Sequence, residues 1–328
     1  MIAHVKYCLG IESTAHTFGC AVVTFEGTIL SNEKNSFTTE KGGMIPTDVA
    51  AHHNRVKESI LSRALAAANV DMSDMSLISL SNSPGLSPSL LVGLAFAREL
   101  SEKNKIPLIG ANHSMAHLTI GNLMCGVSDP VYVYVSGPNT QVIARAGSTY
   151  RVFGETLDVG LGNMLDKFAR DMGLGFPGGP KIEALAKGGS YVELPYSVKG
   201  MDVSFAGILT KATRLVEQGA RKEDLCYSLQ EVCFAMLCEV AERALAHTGK
   251  KEVLLIGGVG ANKRLCAMLD RMCVDRGAKF FAVPLQYAGD QAAMIAWQGI
   301  LNVKGGLPAV VKDIFPYERI DEVPVVWD

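Results

Sequence analysis

The chain has 328 residues, of which 48% are hydrophobic and 20% charged, and its formal net charge is −2. This composition is typical of a globular protein with a large core, and the length is sufficient for two domains. A nearly neutral charge argues against a chain that binds nucleic acid unaided, so a nucleic-acid role would need a local basic patch or partner subunits.

No apolar run approaches the roughly 20 residues of a membrane-spanning helix, and the N-terminal residues lack the pattern of a secretory signal. The eight cysteines include no Cys-x-x-Cys pair, and several lie within apolar runs, where a free thiol behaves as a small hydrophobic group. These features predict a cytoplasmic protein with no membrane association and no disulfide framework.

The first third of the chain predicts three strands followed by alternating helices and strands. Gly27 precedes the third strand, and Pro46 suits the first turn of a helix that runs towards Ala68. The predicted elements are strands at 5–11, 18–25 and after Gly27, the helix at 46–68, a strand at 77–80, a helix from Ser87 and a strand at 106–110.

The same pattern begins again near Asp129. Strands are predicted at 131–135, at 141–146 and near Tyr150, and helices with a further strand at 253–256 follow them. The repeat is one of architecture rather than of residues, and it predicts an α/β fold of two similar halves. We expect an N-terminal lobe at 1–111, a C-terminal lobe at 112–305 with an insertion around 188–207, and a mostly non-helical tail at 306–328.

His113 and His117 are the most informative pair of residues. Asn112 is a plausible N-cap for a helix that starts here, and imidazoles four residues apart lie on one face of a helix, where they can share a metal ion. Zinc proteases with this spacing carry a Glu after the first His, whereas this chain has Ser114, so the pair can bind metal without protease chemistry. Tyr134 and Asp290 could complete a set of two imidazoles, a carboxylate and a phenolate.

Three turns combine glycine with small polar residues between buried strands and helices. Such turns let backbone amides approach a phosphate group closely, although any one of them is weak evidence by itself. They lie at 10–14, which includes Glu12, at 136–140 and at 257–262. Their equivalent positions in a duplicated fold predict a nucleotide site.

Six motifs in a fixed order resemble those of the KEOPS-type tRNA threonylcarbamoyltransferases, formerly described as O-sialoglycoprotein endopeptidases. The motifs span nearly the whole chain, and Asn139 resembles the archaeal and eukaryotic branch. They lie at 10–17, 112–117, 134–141, 178–183, 257–262 and 289–290. The stretch that reads Gly-Gly-Ile-His-Pro-Arg-Glu in the family departs from it here, as Gly42-Gly43-Met44-Ile45-Pro46-Thr47-Asp48, without the His and the Arg.

The resemblance implies two actin-like lobes of the ASKHA, RNase-H-like type with a ligand cleft between them. It also implies transfer of a threonylcarbamoyl group from threonylcarbamoyl-AMP to the exocyclic amine of the adenosine that follows the tRNA anticodon, with release of AMP. The implied partners are tRNA, a small protein kinase or ATPase subunit and accessory subunits of a KEOPS-type complex.

The cofactors that the resemblance implies are one iron or zinc ion and an adenine nucleotide, either threonylcarbamoyl-AMP as substrate or ATP. The implied metal ligands are His113, His117, Tyr134 and Asp290. The implied substrate-binding residues are Tyr134, Val135, Ser136, Gly137, Pro138, Asp166, Gly179, Glu183 and Asn262. No residue of the sequence stands out as a general base, and the choice between iron and zinc stays open.

Two other functional classes fit the fold. An ATP-dependent phosphotransferase of the actin-like superfamily would need a carboxylate base facing its acceptor, and it leaves the histidine pair unexplained. A non-enzymatic actin-like scaffold predicts nucleotide-dependent polymers and no bound transition metal. A metal assay on the purified protein discriminates best between these hypotheses and the transferase.

Overall fold

The first sheet contains five strands in the order β3-β2-β1-β4-β5. In this computed structural model, which describes residues 6–38 and 44–327, β1, β4 and β5 run parallel while β2 and β3 run antiparallel to them. The strands are β1 (Tyr7–Glu12), β2 (Thr17–Thr24), β3 (Ile29–Ser36), β4 (Met75–Ser83) and β5 (Leu108–Asn112). The predicted start of the first strand at Val5, as well as Gly42 and Gly43, lie outside the described residues.

Helices cover both faces of this sheet, which explains why β1 and β2 are continuous buried runs rather than alternating ones. The helices α1 (Pro46–Ala68) and α2 (Ser87–Asn104) share a core with Leu9 on one face, and Cys8 points to the opposite face. The α3 helix spans His113–Cys125. Pro46 begins α1 as predicted, and Asn69 ends it in the left-handed conformation with a φ of 54°.

The second sheet repeats this topology with the strands β8-β7-β6-β11-β12. Here β6, β11 and β12 are parallel, and β7 and β8 are antiparallel to them. Its strands are β6 (Val131–Val135), β7 (Thr140–Ala146), β8 (Thr149–Glu155), β11 (Glu252–Ile256) and β12 (Lys279–Ala282), while the two-residue strands β9 (Val198–Lys199) and β10 (Asp202–Val203) form a separate hairpin. The predicted duplication of an α/β architecture is therefore confirmed.

The second half contains six further helices, and the last long helix of the chain follows them. They are α4 (Leu161–Asp171), α5 (Gly179–Ala186), α6 (Ala206–Glu217), α7 (Lys222–Thr248), α8 (Lys263–Asp275) and α9 (Leu285–Ala288), and then α10 (Ala292–Lys304). Among the residues that the structure describes, none of the helices is both long enough and apolar enough to cross a membrane.

The chain divides into two compact units, and the units differ from the expected lobes. The first unit comprises the residues up to Leu123 together with those from Asp290 onward, and the second comprises Met124–Gly289. Because α10 packs on the face of the first sheet that carries Cys8, Ala21 and Val23, the residues at 290–305 belong with the first unit instead of with 112–289. The segment that contains α3 up to Leu123 belongs there as well.

The close packing of α10 on the first sheet depends on Gly10 of β1. A Cβ atom at this position would lie 2.2 Å from the carbonyl oxygen of Ala292, far inside van der Waals contact. Glycine therefore lets the start of α10 approach the end of β1, which brings Asp290 into the same region as Glu12.

Candidate metal centre and nucleotide-binding region

The two predicted histidines lie side by side on the first turns of α3. Asn112, the last residue of β5, accepts a hydrogen bond on its Oδ1 from the amide of Met115 at 3.1 Å, so it acts as the predicted cap. The rings of His113 and His117 have centroids 4.8 Å apart, and both residues are buried. The helix and the shared face that the sequence predicted are both confirmed.

Asp290 meets both imidazoles. Its Oδ1 lies 3.5 Å from Nε2 of His113 and 3.4 Å from Nε2 of His117. The three potential ligand atoms all lie within 4.8 Å of one another, a separation that a single metal ion can bridge. Residues from α3 and from the start of α10 thus form one cluster inside the first unit.

The backbone around Asp290 is fixed by the edge strand β3. Lys34 donates from Nζ to the carbonyl oxygen of Asp290 at 3.0 Å, and Asn32 donates from Nδ2 to Oε1 of Gln291 at 3.2 Å. The same Gln291 oxygen caps α10 by accepting the amide of Met294 at 3.1 Å. These contacts orient the carboxylate before any ligand binds, which is the arrangement expected of a preformed site.

A buried carboxylate holds the far side of the His113 ring. Nδ1 of His113 lies 3.0 Å from Oε2 of Glu12 and 3.1 Å from Oγ1 of Thr14, and Glu12 is fully buried. Its other oxygen accepts the Thr14 amide at 2.7 Å. When Nδ1 donates to the carboxylate, Nε2 of His113 faces Asp290 and is the nitrogen that would bind a metal in place of a proton.

The charges of this cluster are strongly coupled. Burial lowers the pKa of His113, but the carboxylates of Glu12 and Asp290 outweigh it and raise the pKa to about 10. Burial lowers the pKa of His117, more than the Asp290 carboxylate raises it. Burial raises the pKa of Asp290, yet the hydrogen bonds and positive charge of the two histidines hold it well below its usual range.

The donor set fits a transition metal. Two imidazoles and one carboxylate suit iron or zinc better than calcium or magnesium, which prefer oxygen ligands alone. The carboxylate behind His113 is also characteristic of metal-binding histidines. Sequence reasoning had placed Glu12 only in the first turn. An acidic residue at the end of an otherwise apolar buried strand was the available signal for its contact with His113.

Tyr134, the other predicted metal ligand, belongs to the second unit. It lies on β6, is 1% exposed, and its hydroxyl accepts a hydrogen bond from Nδ2 of Asn139 at 3.2 Å. The contact fixes the phenol ring beside the turn that follows β6, and the metal-ligand role of Tyr134 remains a prediction.

The turn between β6 and β7 contains the predicted phosphate contacts. The amide of Ser136 donates to the carbonyl oxygen of Asn139 at 2.8 Å, and Oγ of Ser136 accepts the amide of Asn139 at 3.2 Å. The Ser136 amide is thus engaged within the turn itself. Val135 ends β6, and Gly137 and Pro138 form the middle of the turn.

The turn that follows β11 packs tightly against this one. Gly257 has a φ of +91°, and a Cβ atom added there would lie 2.3 Å from the carbonyl oxygen of Val135. Only glycine combines this backbone conformation with so close an approach. The predicted second and third glycine-containing turns are therefore neighbours.

The remaining predicted substrate residues are tied to the ends of helices in the same unit. Asp166 of α4 accepts a hydrogen bond from the Gly178 amide at 2.7 Å. This contact fixes the residue before α5, whose first residue is Gly179. Glu183 of α5 accepts the amide of Lys263 at 3.0 Å through its Oε1. These hydrogen bonds tie α4 to the start of α5, and α5 to the start of α8.

Asn262 has a structural role that was not predicted from the sequence. Its Oδ1 caps α8 by accepting the amides of Arg264 at 2.9 Å and Leu265 at 3.1 Å, and its Nδ2 donates to Oε1 of Gln230 at 2.7 Å. An Asn directly before a helix is a capping signal, so this contact was readable from the sequence. Its predicted contact with substrate remains a prediction.

Comparison with known proteins identifies relatives over nearly the full length. A family model described as tRNA N6-adenosine threonylcarbamoyltransferase matches residues 28–297. Proteins of that name from Thermococcus kodakarensis and Methanopyrus kandleri are 54% and 50% identical, and the alignments cover 98% of this chain and 99% and 96% of theirs. A probable bifunctional tRNA threonylcarbamoyladenosine biosynthesis protein from Methanothermobacter thermautotrophicus is 50% identical, over 98% of this chain and 60% of that protein.

Solved structures support the fold. The HypF protein of Thermococcus kodakarensis has a TM-score of 0.63 at 15% identity, over 93% of this chain and 48% of that one. An activator of 2-hydroxyisocaproyl-CoA dehydratase from Clostridium difficile, with bound ADPNP, has a TM-score of 0.54 at 11% identity, over 91% and 96%. At such low identity these likenesses show the actin-like fold alone. From the match of the family model and the relatives at 50% identity or more, the chain belongs to the tRNA N6-adenosine threonylcarbamoyltransferase family and is a transferase.

Proposed function

We propose that this chain transfers the threonylcarbamoyl group of threonylcarbamoyl-AMP to the exocyclic amine of the adenosine that follows the anticodon in tRNA, and that AMP leaves. The observation that carries the proposal is the preformed cluster of His113, His117 and Asp290, with Glu12 behind it, in a member of this family. The reaction is an acyl transfer from a mixed anhydride: the amine nitrogen forms the new C–N bond and releases one proton, and AMP departs with the electron pair of the broken C–O bond.

The three clustered side chains would hold one iron or zinc ion, with Tyr134 as a further ligand on the strength of the family resemblance. When bound, such an ion supplies a Lewis acid that polarises the acyl group. The protein contributes the orientation of the ligands through Glu12, Thr14 and the anchored start of α10. Positioning of the amine against the acyl carbon is then a large part of catalysis, and no side chain is assigned as general base.

The adenylate would bind in the second unit. We assign the phosphate to the turn formed by Val135, Ser136, Gly137 and Pro138, and the nucleoside to Asp166, Gly179, Glu183 and Asn262. The glycine-containing turn at the end of β6 supports this assignment: the Ser136 amide is engaged with Asn139 and Pro138 has no amide hydrogen, so the Gly137 amide is the turn donor that would face the phosphate. A carboxylate such as Glu183 is suited to accept hydrogen bonds from ribose hydroxyls.

We further propose that the chain works in the cytoplasm within a KEOPS-type complex that includes a small protein kinase or ATPase and accessory subunits. A net charge of −2 offers little counterion release on binding tRNA, so other subunits would supply positive surface. The bifunctional relative supports a functional partner, because this chain matches only 60% of that longer protein.

The test is an assay with purified threonylcarbamoyl-AMP and tRNA, in which the modified adenosine is measured by mass spectrometry of the digested RNA. We expect product from the chain with its partner subunits and little or none from the chain alone. A parallel incubation with ATP and small acceptors tests the phosphotransferase alternative. Full turnover by the isolated chain would contradict the proposed dependence on partners, and absence of product under all conditions would contradict the proposed reaction.

A further inference from the structure

The C-terminal tail lies along the carboxyl ends of β4 and β5 in the first unit. The amide of Phe315 donates to the carbonyl oxygen of Asn82 at 2.8 Å, and the carbonyl oxygen of Pro316 accepts the Gly85 amide at 3.1 Å. Asn82 in turn donates from Nδ2 to the carbonyl oxygen of Asp313 at 3.2 Å. These backbone contacts fix the tail as an ordered part of the sheet edge.

Glu318 links this tail directly to the helix that carries the metal ligands. Its Oε2 accepts a hydrogen bond from Nδ2 of Asn112 at 3.1 Å and another from the hydroxyl of Ser83. Asn112 is the residue before His113 and caps α3 through its other side-chain atom. The tail is thus hydrogen-bonded to the residue that precedes His113 in the sequence. This contact lies at the carboxyl ends of the strands, where ligands of open α/β sheets bind.

The tail residues that precede Glu318 direct aromatic rings outward. Tyr317 is 91% exposed and Phe315 is 49% exposed, whereas the alternate residues Pro316 and Glu318 face the sheet edge or are part-buried. Several hydrogen bonds hold the backbone of this segment, while the exposed Tyr317 ring has no packing partner among the described residues.

We infer that Tyr317, assisted by Phe315, is a stacking platform for an unpaired nucleotide of the substrate RNA next to the acceptor adenosine. The inference rests on the proposed function, in which the acceptor lies beside the anticodon and hence in a single-stranded loop. Exposed aromatic rings on a fixed backbone bind unpaired bases through their flat faces, largely regardless of base identity.

Charge favours a base over the phosphate backbone as the partner of this segment. Between positions 312 and 322 the tail has four carboxylates, at Asp313, Glu318, Asp321 and Glu322, against the two cations Lys312 and Arg319. Arg319 is itself engaged with Asp321. A direct phosphate contact would therefore gain little here, whereas stacking of a neutral base on an aromatic ring does not require a nearby cation.

The test compares three variants of the full chain, each together with its partner subunits, for binding of a fluorescently labelled anticodon stem-loop RNA, measured by anisotropy. Tyr317→Ala should weaken binding by about fivefold or more, since a stacked base is lost, and Tyr317→Trp should restore it. Tyr191→Ala, which removes a 59% exposed tyrosine from the second unit, is the matched control and should bind as the unmodified chain does. A fully paired RNA duplex of equal length should show the same affinity for all four proteins.

Turnover with the partner subunits gives the second measurement. Tyr317→Ala should raise the KM for tRNA by a similar factor while the KM for threonylcarbamoyl-AMP and the metal content stay unchanged. Equal stem-loop affinity and equal KM in Tyr317→Ala and the unmodified chain would overturn the inference. The inference would also be overturned if Tyr317→Ala bound the stem-loop normally but lost a partner subunit, because Tyr317 would then contact a protein and not the RNA. If the unmodified chain makes no product, the proposed reaction fails, and the anisotropy series alone decides on the stacking platform.

Discussion

The turns after β1 and after β6 occupy the same place in two sheets of identical topology, yet they carry different chemistry. β1 ends at Glu12, directly before the first of these turns, and the buried Glu12 carboxylate contacts an imidazole. After β6 the turn contains Ser136, Gly137 and Pro138. It lies so close to Gly257 that a Cβ atom there would overlap the carbonyl oxygen of Val135. One architecture thus carries a candidate metal site made of side chains in the first unit and a backbone-lined turn in the second.

Under the proposed function, this difference would divide the reaction between the two halves of the duplicated fold. Side chains with tunable charge suit a metal and the group it polarises, whereas backbone amides suit an anion whose charge does not change. In the first unit the specific residues are imidazoles and carboxylates, which can be replaced one at a time. In the second unit the proposed phosphate contacts are made by the backbone of the turn at 136–138, so single side-chain substitutions there should have smaller effects.

The largest effect is expected for the variant His113→Ala/His117→Ala. It removes two of the three clustered ligands, so the metal should be lost, and transfer should fall by at least about 100-fold, because several kcal/mol of electrophilic stabilisation disappear. Metal content by mass spectrometry and product formation measure the two consequences. His247→Ala, which alters a histidine on α7 of the second unit, is the control and should retain both. Stoichiometric metal in the double variant would remove this cluster from consideration.

An intermediate effect is expected for Glu12→Gln. The amide is close in shape to the carboxylate but has no charge to hold the Nδ1 proton of His113, so metal affinity should fall by about 10- to 100-fold. A competition titration with a chelator of known affinity measures this change. The control is Glu33→Gln, which disrupts the ion pair between Glu33 of β3 and Arg63 of α1 in the same unit. This variant should leave the metal affinity unaltered. Equal affinity in both variants would show that Glu12 has only a packing role.

How far the sequence alone predicted these features depends on how local each one is. The helix spacing of His113 and His117 and the start of α1 at Pro46 depend on neighbouring residues, and both were predicted. The contact between Glu12 and His113 joins β1 to α3, and no periodicity along the chain reveals it. The division between the units also escaped the sequence, because α10 returns to the first sheet through a close approach at Gly10 that only the folded chain displays.

The smallest effect is expected in the second unit, for Glu183→Ala. The carboxylate is only half-buried and also holds the Lys263 amide, so its loss should weaken binding of an adenine nucleotide by about 1 kcal/mol, roughly fivefold. Calorimetry with AMP measures the change, and Glu183→Gln, which keeps an acceptor oxygen, separates the loss of charge from the loss of the hydrogen bond. If Glu183→Gln binds like the unmodified chain while Glu183→Ala is weakened, an acceptor atom is what the ligand requires. Unchanged affinity in Glu183→Ala would confine Glu183 to its contact with Lys263. An effect larger than that of Glu12→Gln on the metal would contradict the view that the second unit binds mainly through its backbone.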